Sequence, residues 1–394
     1  QQSPETIIRT LRSLVADEVA SVRSDTRIVA ESLSWPTDLP LDSDEVGLDS
    51  LDVMNAASRV NQFFRLHEVG VEDYLLINRS LDEWARVVAK GLEHQFDRLT
   101  FLTSGSTGSP KPCTHEIPAL LRDADFVAGR LEPRRILTLV PPHHIYGFIY
   151  TGLMPLLAGC PLVDVRFAPA SRLSSMIKTG DVIVGTPFVL TAFARTLERV
   201  PSGISVLTST APLPTVLADQ LQSMGIEQTL EVYGASETGG VGWRKASSDD
   251  FQLFPWWELT PDGLLIDVER GGDPHHPMDL LERGEGQCFS VQGRSDNALQ
   301  IGGVNVFPTA LAERIAEHPD VVECAVRPID VSMGAQTRLK AFIVPGPDID
   351  VDDLERDLVR YARSTLSAPE RPVQWTFGDE LPVNDLGKLQ DWPI

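Results

Sequence analysis

Residues 103–111 read Thr-Ser-Gly-Ser-Thr-Gly-Ser-Pro-Lys, a run of small hydroxylated residues and glycines that ends in a lysine. Gly105 and Gly108 let the backbone approach phosphate oxygens closely, because neither residue carries a Cβ atom. The hydroxyl groups are hydrogen-bond donors, and the lysine adds a positive charge. The run therefore predicts a polyphosphate-binding loop that consists of Thr103, Ser104, Gly105, Ser106, Thr107, Gly108 and Lys111.

The residues around this loop distinguish it from the common P-loop. The preceding run, residues 98–103, predicts a strand, so the loop leaves the edge of a sheet. Counted from Gly105, a P-loop would need glycine at position 110 and serine or threonine at position 112, and both residues are proline. A P-loop ATPase or kinase is therefore disfavoured. The alternative is an ordinary Ser/Gly-rich surface loop that binds no phosphate.

Length and composition restrict the class of protein. A chain of 394 residues with 42% hydrophobic residues is long enough for two or three globular domains. Its net charge of −22 disfavours nucleic acid and anionic membranes as partners. No apolar run reaches the roughly 18 residues of a membrane span. Four scattered cysteines without CxxC spacing indicate reduced thiols, a cytoplasmic location and no metal site: Cys113, Cys160, Cys288 and Cys324.

The pattern of apolar and polar residues changes twice along the chain. Residues 1–95 show apolar residues at helical spacing, notably in 6–19, 50–64 and 81–92. Residues 96–292 alternate short β-rich runs with helical segments, which predicts an α/β domain with strands near 135–140, 181–185, 204–209 and 228–233. Residues 293–394 predict a compact α+β unit.

A second informative motif is Glu-Val-Tyr-Gly-Ala-Ser-Glu-Thr-Gly at residues 231–239, which follows a predicted strand. Tyr233 can lie against a base, and Gly234 lets the base approach. Ser236 can bond a phosphate, and the oxygen atoms of Glu237 suit Mg²⁺. The combination predicts a nucleotide pocket. Two further motifs are a double-glycine segment at 293–308 and Leu-Pro-Val-Asn-Asp-Leu-Gly-Lys at 381–388.

In their order and spacing, these four motifs resemble those of the adenylate-forming enzymes, which include acyl- and aryl-CoA synthetases, peptide-synthetase adenylation domains and luciferases. The resemblance covers about residues 96–394. It implies an α/β fold: a shortened adenylate-forming core with a small, mobile α+β domain at the C-terminus and a helical segment at the N-terminus. It also implies that ATP and Mg²⁺ serve to activate a small carboxylic acid as an acyl-adenylate, and that the acyl group then passes to a pantetheine thiol.

The resemblance also implies roles for individual residues. The loop 103–111 would hold the β- and γ-phosphates, and Tyr233 would stack on adenine beside Ser209, Thr210 and Ala211. Ser236 would contact the α-phosphate, and Glu237 would bind Mg²⁺. Asp279 would bind the ribose hydroxyls and Arg294 the ribose or phosphate, with the hinge at Asp296. Lys388 would bridge the acid and the α-phosphate, while Gly302 and Gly303 would face the incoming thiol.

A further segment, Pro-Pro-His-His-Ile-Tyr-Gly-Phe at 141–148, resembles the lining of the acid pocket in acyl- and aryl-CoA ligases. His144 would lie near the substrate carboxylate, and Tyr146, Phe148, Gly185 and Thr186 are candidate walls. Amino-acid-activating relatives usually carry an aspartate here, and none occurs between Asp125 and Asp164. We therefore expect a non-amino acid, aryl or acyl. The alternative is a pair of loop histidines without a catalytic role.

The N-terminal segment leaves three interpretations open. Gly-Leu-Asp-Ser-Leu-Asp at 47–52 resembles the modification site of acyl carrier proteins, so Ser50 is a possible site for phosphopantetheine. The same residues are also ordinary helix N-cap residues. A third interpretation is a helical replacement for part of the usual core. The acyl acceptor is accordingly CoA or a carrier protein. A non-catalytic homologue that senses nucleotide or acyl-adenylate is the alternative function.

Overall fold

The computed structural model describes residues 4–93, 97–103, 111–245, 250–271, 273–294, 299–302, 304–329, 337–347, 349–382 and 390–393. These residues form two compact units. The first unit contains the described residues of 1–103, 111–209 and 218–249, and the second contains those of 210–217 and 250–394. No helix within the described ranges is long and apolar enough to cross a membrane.

The first unit begins with a group of helices, as the apolar periodicity predicts. They are α1 (Pro4–Arg23), α2 (Arg27–Glu31), α3 (Ser50–Phe64), α4 (Tyr74–Ile77) and α5 (Leu81–Glu93). A capping box fixes the start of α3. The side chain of Asp49 accepts a hydrogen bond from the backbone N–H of Asp52, and the side chain of Asp52 accepts one from the backbone N–H of Asp49. Arg23 at the end of α1 forms an ion pair with Asp52, which joins α1 to α3.

Three aromatic rings attach these helices to the rest of the first unit. Phe63 of α3 packs against Phe101, with ring centroids 5.0 Å apart, and against Phe148, with centroids 5.8 Å apart. All three side chains are buried. The N-terminal helices therefore share a hydrophobic core with the α/β part of the chain, which favours the interpretation that they replace part of the usual core.

A parallel sheet forms the centre of the first unit. Its strands lie in the order β8-β7-β6-β5-β3-β4, with β8 antiparallel to β7 and the others parallel. They are β3 (Arg135–Thr138), β4 (Leu162–Asp164), β5 (Asp181–Gly185), β6 (Ile204–Thr208), β7 (Ile226–Ala235) and β8 (Gly239–Arg244). The four strands predicted from the sequence are confirmed. Before this sheet, β1 (Arg98–Thr103) and β2 (Lys111–Glu116) form a separate hairpin.

Helices connect these strands, as expected for crossovers between parallel strands. The crossovers contain α7 (Ile145–Gly147), α8 (Met154–Ala158), α9 (Ala170–Met176), α10 (Pro187–Thr196), α11 (Thr215–Ser223) and a π-helical turn at Phe148–Leu153, while α6 (Ile117–Leu131) leads from β2 to β3. Proline stands in the first turn of α6, α8 and α10, where its missing N–H has no helical partner to lose.

The second unit contains a β-rich part and an α+β part. The first part comprises β9 (Phe251–Leu253), β10 (Trp257–Leu259), β11 (Leu265–Asp267), β12 (Asp279–Arg283) and β13 (Cys288–Arg294). The second comprises β14 (Leu299–Ile301), β15 (Val304–Val306), α12 (Pro308–Ala316), β16 (Val321–Ile329), β17 (Arg338–Pro345), α13 (Val351–Thr365) and β18 (Gln374–Phe377). Strand β17 pairs with β16 antiparallel and with β18 parallel. This organisation confirms the predicted α/β class.

Candidate active site

The two ends of the predicted polyphosphate loop lie side by side. Strands β1 and β2 pair so that Thr103 stands opposite Lys111. The residues between them that were predicted to bind phosphate, Ser104, Gly105, Ser106, Thr107 and Gly108, lie outside the described residues. The hairpin thus fixes where the loop begins and ends.

The predicted base-binding motif forms the tight connection between β7 and β8, which we call the nucleotide turn (residues 233–240). Gly234 stands opposite Gly240, with a register shift after Tyr233. A Cβ atom on Gly234 would lie 2.2 Å from the carbonyl oxygen of Gly239. The sequence interpretation gave Gly234 the role of admitting a base, but the close approach of the two backbone strands already requires glycine at this position.

Two distant side chains hold the nucleotide turn in place. The Nε2 atom of His115 on β2 lies 2.6 Å from the carbonyl oxygen of Ser236. A carboxylate oxygen of Asp123 on α6 accepts a 2.7 Å hydrogen bond from the backbone N–H of Gly240. Asp123 is buried. The sequence interpretation missed both residues, although a buried-face position of α6 occupied by an aspartate between apolar residues was a usable signal.

Replacement of Asp123 is expected to loosen this turn. Hydrogen bonds to charged groups contribute about 1.5–3 kcal/mol, and about 1.4 kcal/mol corresponds to a factor of ten in affinity. We therefore expect Asp123→Ala to raise the KM for ATP about 10-fold. Asp125→Ala is the matched control, since Asp125 lies exposed on the same helix. Steady-state kinetics tests this role of Asp123, because equal KM values for ATP in the two variants would contradict it.

Glu237, the predicted metal ligand, lies exposed at the tip of the nucleotide turn, next to the half-buried Ser236. Among the described residues, no group of three His, Cys, Asp or Glu side chains is arranged to hold a metal ion. A single carboxylate nevertheless fits Mg²⁺, which commonly binds through one or two carboxylates together with substrate phosphates. The geometry is therefore compatible with Glu237 as the protein ligand of a magnesium–nucleotide complex.

The predicted adenine-facing segment follows β6. Ser209 is buried in the first unit, and Thr210 and Ala211 belong to the second. Thr210 has a φ angle of +79°, which is rare for a β-branched residue. Its buried hydroxyl makes no hydrogen bond with any residue in the described ranges. Backbone conformations of this kind concentrate at ligand-binding segments.

The residues predicted to bind the ribose or phosphate are register partners on paired strands of the second unit. Asp279 at the start of β12 stands directly opposite Arg294 at the end of β13. Gly302, predicted to face the thiol, has a φ angle of +61° in the turn between β14 and β15. Gly303, Asp296 and Lys388 lie outside the described residues.

The two histidines of the acid-site motif differ in environment. Their ring centroids are 4.3 Å apart. His143 is buried, and desolvation lowers its pKa well below the ordinary value. His144 is exposed, yet desolvation by the surrounding protein lowers its pKa as well. Solvent exposure together with a desolvated ring is expected in a concave part of the surface. Of the two histidines, His144 is therefore the one that a substrate can reach.

Three of the other predicted wall residues make contacts that stabilise the fold. The hydroxyl of buried Tyr146 donates to the carbonyl oxygens of Leu207, at 2.8 Å, and Gly185, at 3.2 Å. These bonds place the motif at the carboxyl ends of β5 and β6, where parallel sheets bind ligands. Thr186 caps α10. Phe148 is fully buried among aromatic rings, so it is a core residue and not an open pocket wall.

Comparisons with known proteins identify the family of this chain. Residues 76–257 match the family model of AMP-binding enzymes, and residues 311–388 match the model of their C-terminal domain. A 4-coumarate–CoA ligase of Halorhodospira halophila is 38% identical over 98% of this chain and 98% of its own length. A 4-coumarate–CoA ligase of Rhodobacter capsulatus is 36% identical over 98% of this chain and 99% of its own.

Solved structures share the fold at lower sequence identity. The o-succinylbenzoate CoA synthetase of Bacillus subtilis aligns with a TM-score of 0.60 at 18% identity, over 74% of this chain and 67% of that one. A malonyl-CoA ligase with methylmalonyl-CoA and AMP bound aligns with a TM-score of 0.59 at 20% identity, over 72% of this chain and 71% of that one. At this identity the likeness supports the fold alone.

The relatives match this chain along nearly its entire length, which includes the N-terminal helices as well as the four motifs. The predicted resemblance is therefore confirmed, and this chain belongs to the family of AMP-binding enzymes.

Proposed function

We propose that this protein is an AMP-forming ligase that joins a small non-amino carboxylic acid to the thiol of CoA. The main observation behind the proposal is that one strand, β2, connects two of the predicted nucleotide motifs. Strand β2 leaves the polyphosphate loop at Lys111, and four residues later His115 contacts the turn that carries Ser236 and Glu237. The turn therefore lies beside the strand that ends the loop at Lys111, and a nucleotide bound there would have its phosphates near that end.

The chemistry proceeds in two steps. A carboxylate oxygen of the acid attacks the α-phosphorus of ATP, the bond to the β-phosphate oxygen breaks, and pyrophosphate leaves with the bonding electron pair. The CoA thiolate then attacks the acyl carbon, and AMP leaves. We propose that Lys388 neutralises charge on the α-phosphate in the first step. Mg²⁺ held by Glu237 would supply further charge neutralisation at the phosphates.

An aryl acid of the hydroxycinnamate class is the proposed substrate. Two observations support this choice: the relatives named above are 4-coumarate–CoA ligases, and the segment from 126 to 163 lacks the aspartate that an amino group would require. His144 is the proposed contact of the acid carboxylate. It is open to solvent in the same motif whose Tyr146 is anchored at the ends of β5 and β6.

Acid-dependent exchange of pyrophosphate into ATP tests the function. The substrates to compare are 4-coumarate, benzoate, a medium-chain fatty acid and tyrosine, with and without Mg²⁺. We expect exchange with 4-coumarate that requires Mg²⁺, and none with tyrosine. Absence of exchange with every acid would exclude adenylation. The same assay on Lys388→Ala tests the lysine, because unaltered exchange would exclude its proposed role.

CoA is the proposed acceptor, and a carrier protein or a pantetheine arm on Ser50 is the alternative. Ser50 is exposed at the first turn of α3, so a modifying enzyme can reach it. The shared core around Phe63 instead favours a structural role for these helices. Intact-mass measurement after treatment with a phosphopantetheinyl transferase separates the two, since an unchanged mass excludes modification of Ser50.

Two further expectations belong to this proposal. All four cysteines are free thiols, which fits the cytoplasmic location expected from their spacing. A motion of residues 293–394 about Asp296 would let one acyl-adenylate meet first Lys388 and then the segment at Gly302. Such a motion would gate the two steps without changing their chemistry.

A further inference from the structure

The first helix of the protein reaches the acid-site motif. The hydroxyl oxygen of Ser13 lies 2.8 Å from Nδ1 of His143. One helical turn later, a carboxylate oxygen of Asp17 lies 3.5 Å from Nε2 of the same ring. Both ring nitrogens of His143 therefore face side chains of α1. Residues four apart lie on one face of a helix, which is why a single helix can present both groups.

These two side chains are complementary to one tautomer of His143. A carboxylate only accepts hydrogen bonds, so Asp17 favours the form with a proton on Nε2. Nδ1 then lacks a proton and can accept one from the hydroxyl of Ser13. Within the described ranges Nε2 has no hydrogen-bond partner, and the carboxylate of Asp17 is a charged neighbour 3.5 Å away rather than a hydrogen-bonded one. Ser13 and His143 are each 4% exposed, so water does not compete freely for these atoms.

His143 in turn supports His144. The buried ring lies behind the exposed one, at a centroid distance of 4.3 Å. The charged groups that act on the pair come from three directions: Asp17 on α1, Arg59 on α3, and Arg166 after β4. Burial disfavours a positive charge on His143 most strongly, and the neighbouring His144 and the two arginines disfavour it as well. A neutral His143 with one defined tautomer is the consequence.

We propose that Ser13 and Asp17 are positioning residues of the acid-activation site, which fix the ring orientation and tautomer of His143 and thereby the ring of His144. The inference rests on the proposed role of His144 at the substrate carboxylate. On this proposal the N-terminal helices contribute to catalysis by positioning site residues, in addition to packing against the core. A segment that served only as a carrier would have no reason to contact this ring.

The test compares two serine-to-alanine changes on the same helix. Ser13→Ala removes the hydroxyl at His143, and Ser21→Ala removes an exposed hydroxyl of α1. We expect Ser13→Ala to lower kcat/KM for 4-coumarate at least about 10-fold, since small misplacements of reacting groups have effects of this size. The KM for ATP should stay unchanged, and Ser13→Thr, which keeps a hydroxyl, should recover much of the activity.

The pH dependence gives a readout that loss of packing would not change. The hydrogen bond from Ser13 stabilises the neutral form of His143, so its removal raises the pKa of that ring. The acid limb of the pH–rate profile should therefore move to higher pH in Ser13→Ala and stay in place in Ser21→Ala. Identical profiles and rates for these two variants would overturn the proposal, provided that the wild-type protein is active.

A second measurement separates this inference from the proposed function. In protein with ¹⁵N-labelled histidine, the ring nitrogens of His143 can be assigned by comparison with His143→Gln. We expect a proton on Nε2 and none on Nδ1 in the wild type, and a changed distribution in Ser13→Ala. A proton on Nδ1 in the wild type would overturn the assignment, whichever acid the enzyme uses. Absence of exchange with every acid would refute the function and leave this result standing.

Discussion

Gly234→Ala is expected to reduce acyl-adenylate formation at least about 100-fold, because displacements near 1 Å at a catalytic site can have effects of that size. The added Cβ atom would lie 2.2 Å from the carbonyl oxygen of Gly239 and 3.1 Å from the Cα atom of Gly240. Both atoms belong to the backbone, so no rotation of a side chain can relieve the contact. Strands β7 and β8 must separate at the point where Ser236 and Glu237 are presented.

Gly129→Ala is the matched control for this change. Gly129 lies in α6, and apart from its own helix backbone no atom of the described residues lies within 4 Å of the position that a Cβ would take. Alanine is favoured over glycine inside a helix by about 1 kcal/mol, so this variant should be at least as stable as the wild type. Pyrophosphate exchange and thermal unfolding are measured for both variants. If Gly234→Ala retains exchange within two-fold of the wild type, the nucleotide turn tolerates displacement and its proposed role is wrong.

Local patterns were sufficient to predict the elements that carry the site. The run 181–185 was predicted as a strand, and it forms β5, whose five residues are all buried. Its apolar residues at 182–184 are consecutive, which is typical of a central parallel strand because helices cover both faces of such a sheet. The strand before the nucleotide turn and the turn itself were also predicted, because glycine and strand-forming residues mark both locally.

The groups that hold the site together were not predictable in this way. Asp123 is 117 residues from Gly240, and Ser13 is 130 residues from His143. Hydrophobic periodicity and turn motifs report on neighbours along the chain, and neither indicates which distant polar groups will pair. A single sequence therefore predicted candidate ligand-binding residues and missed the distant groups that hold their segments in place.

The carrier-like motif at residues 47–52 illustrates the same limit. Its Asp-Ser-Leu-Asp core forms a capping box at the start of α3, and this local signal is the same in a carrier helix and in any other well-capped helix. What distinguishes the interpretations is tertiary packing. Phe63, Phe101 and Phe148 come from three separate segments, and their contact could be seen only in the structure.

Phe63→Ala is therefore expected to lower the free energy of unfolding of the whole first unit by about 3–5 kcal/mol, the usual cost of truncating a buried phenylalanine. The ring is 0% exposed and also lies 4.9 Å from that of Phe64, measured between centroids. Its removal leaves a cavity between the N-terminal helices and the α/β part. Urea unfolding followed by circular dichroism measures the change.

Met54→Ala provides the control on the same helix, because this side chain is 58% exposed and its loss should change stability by no more than about 0.5 kcal/mol. Hydrogen exchange then locates the effect. If the helices of 4–93 replace part of the core, Phe63→Ala must weaken protection in that segment and in the sheet of residues 135–244 together. If they form an independent carrier-like domain, protection will fall in 4–93 alone. The sheet will then keep its wild-type stability, and the structural interpretation of the N-terminal segment will be wrong.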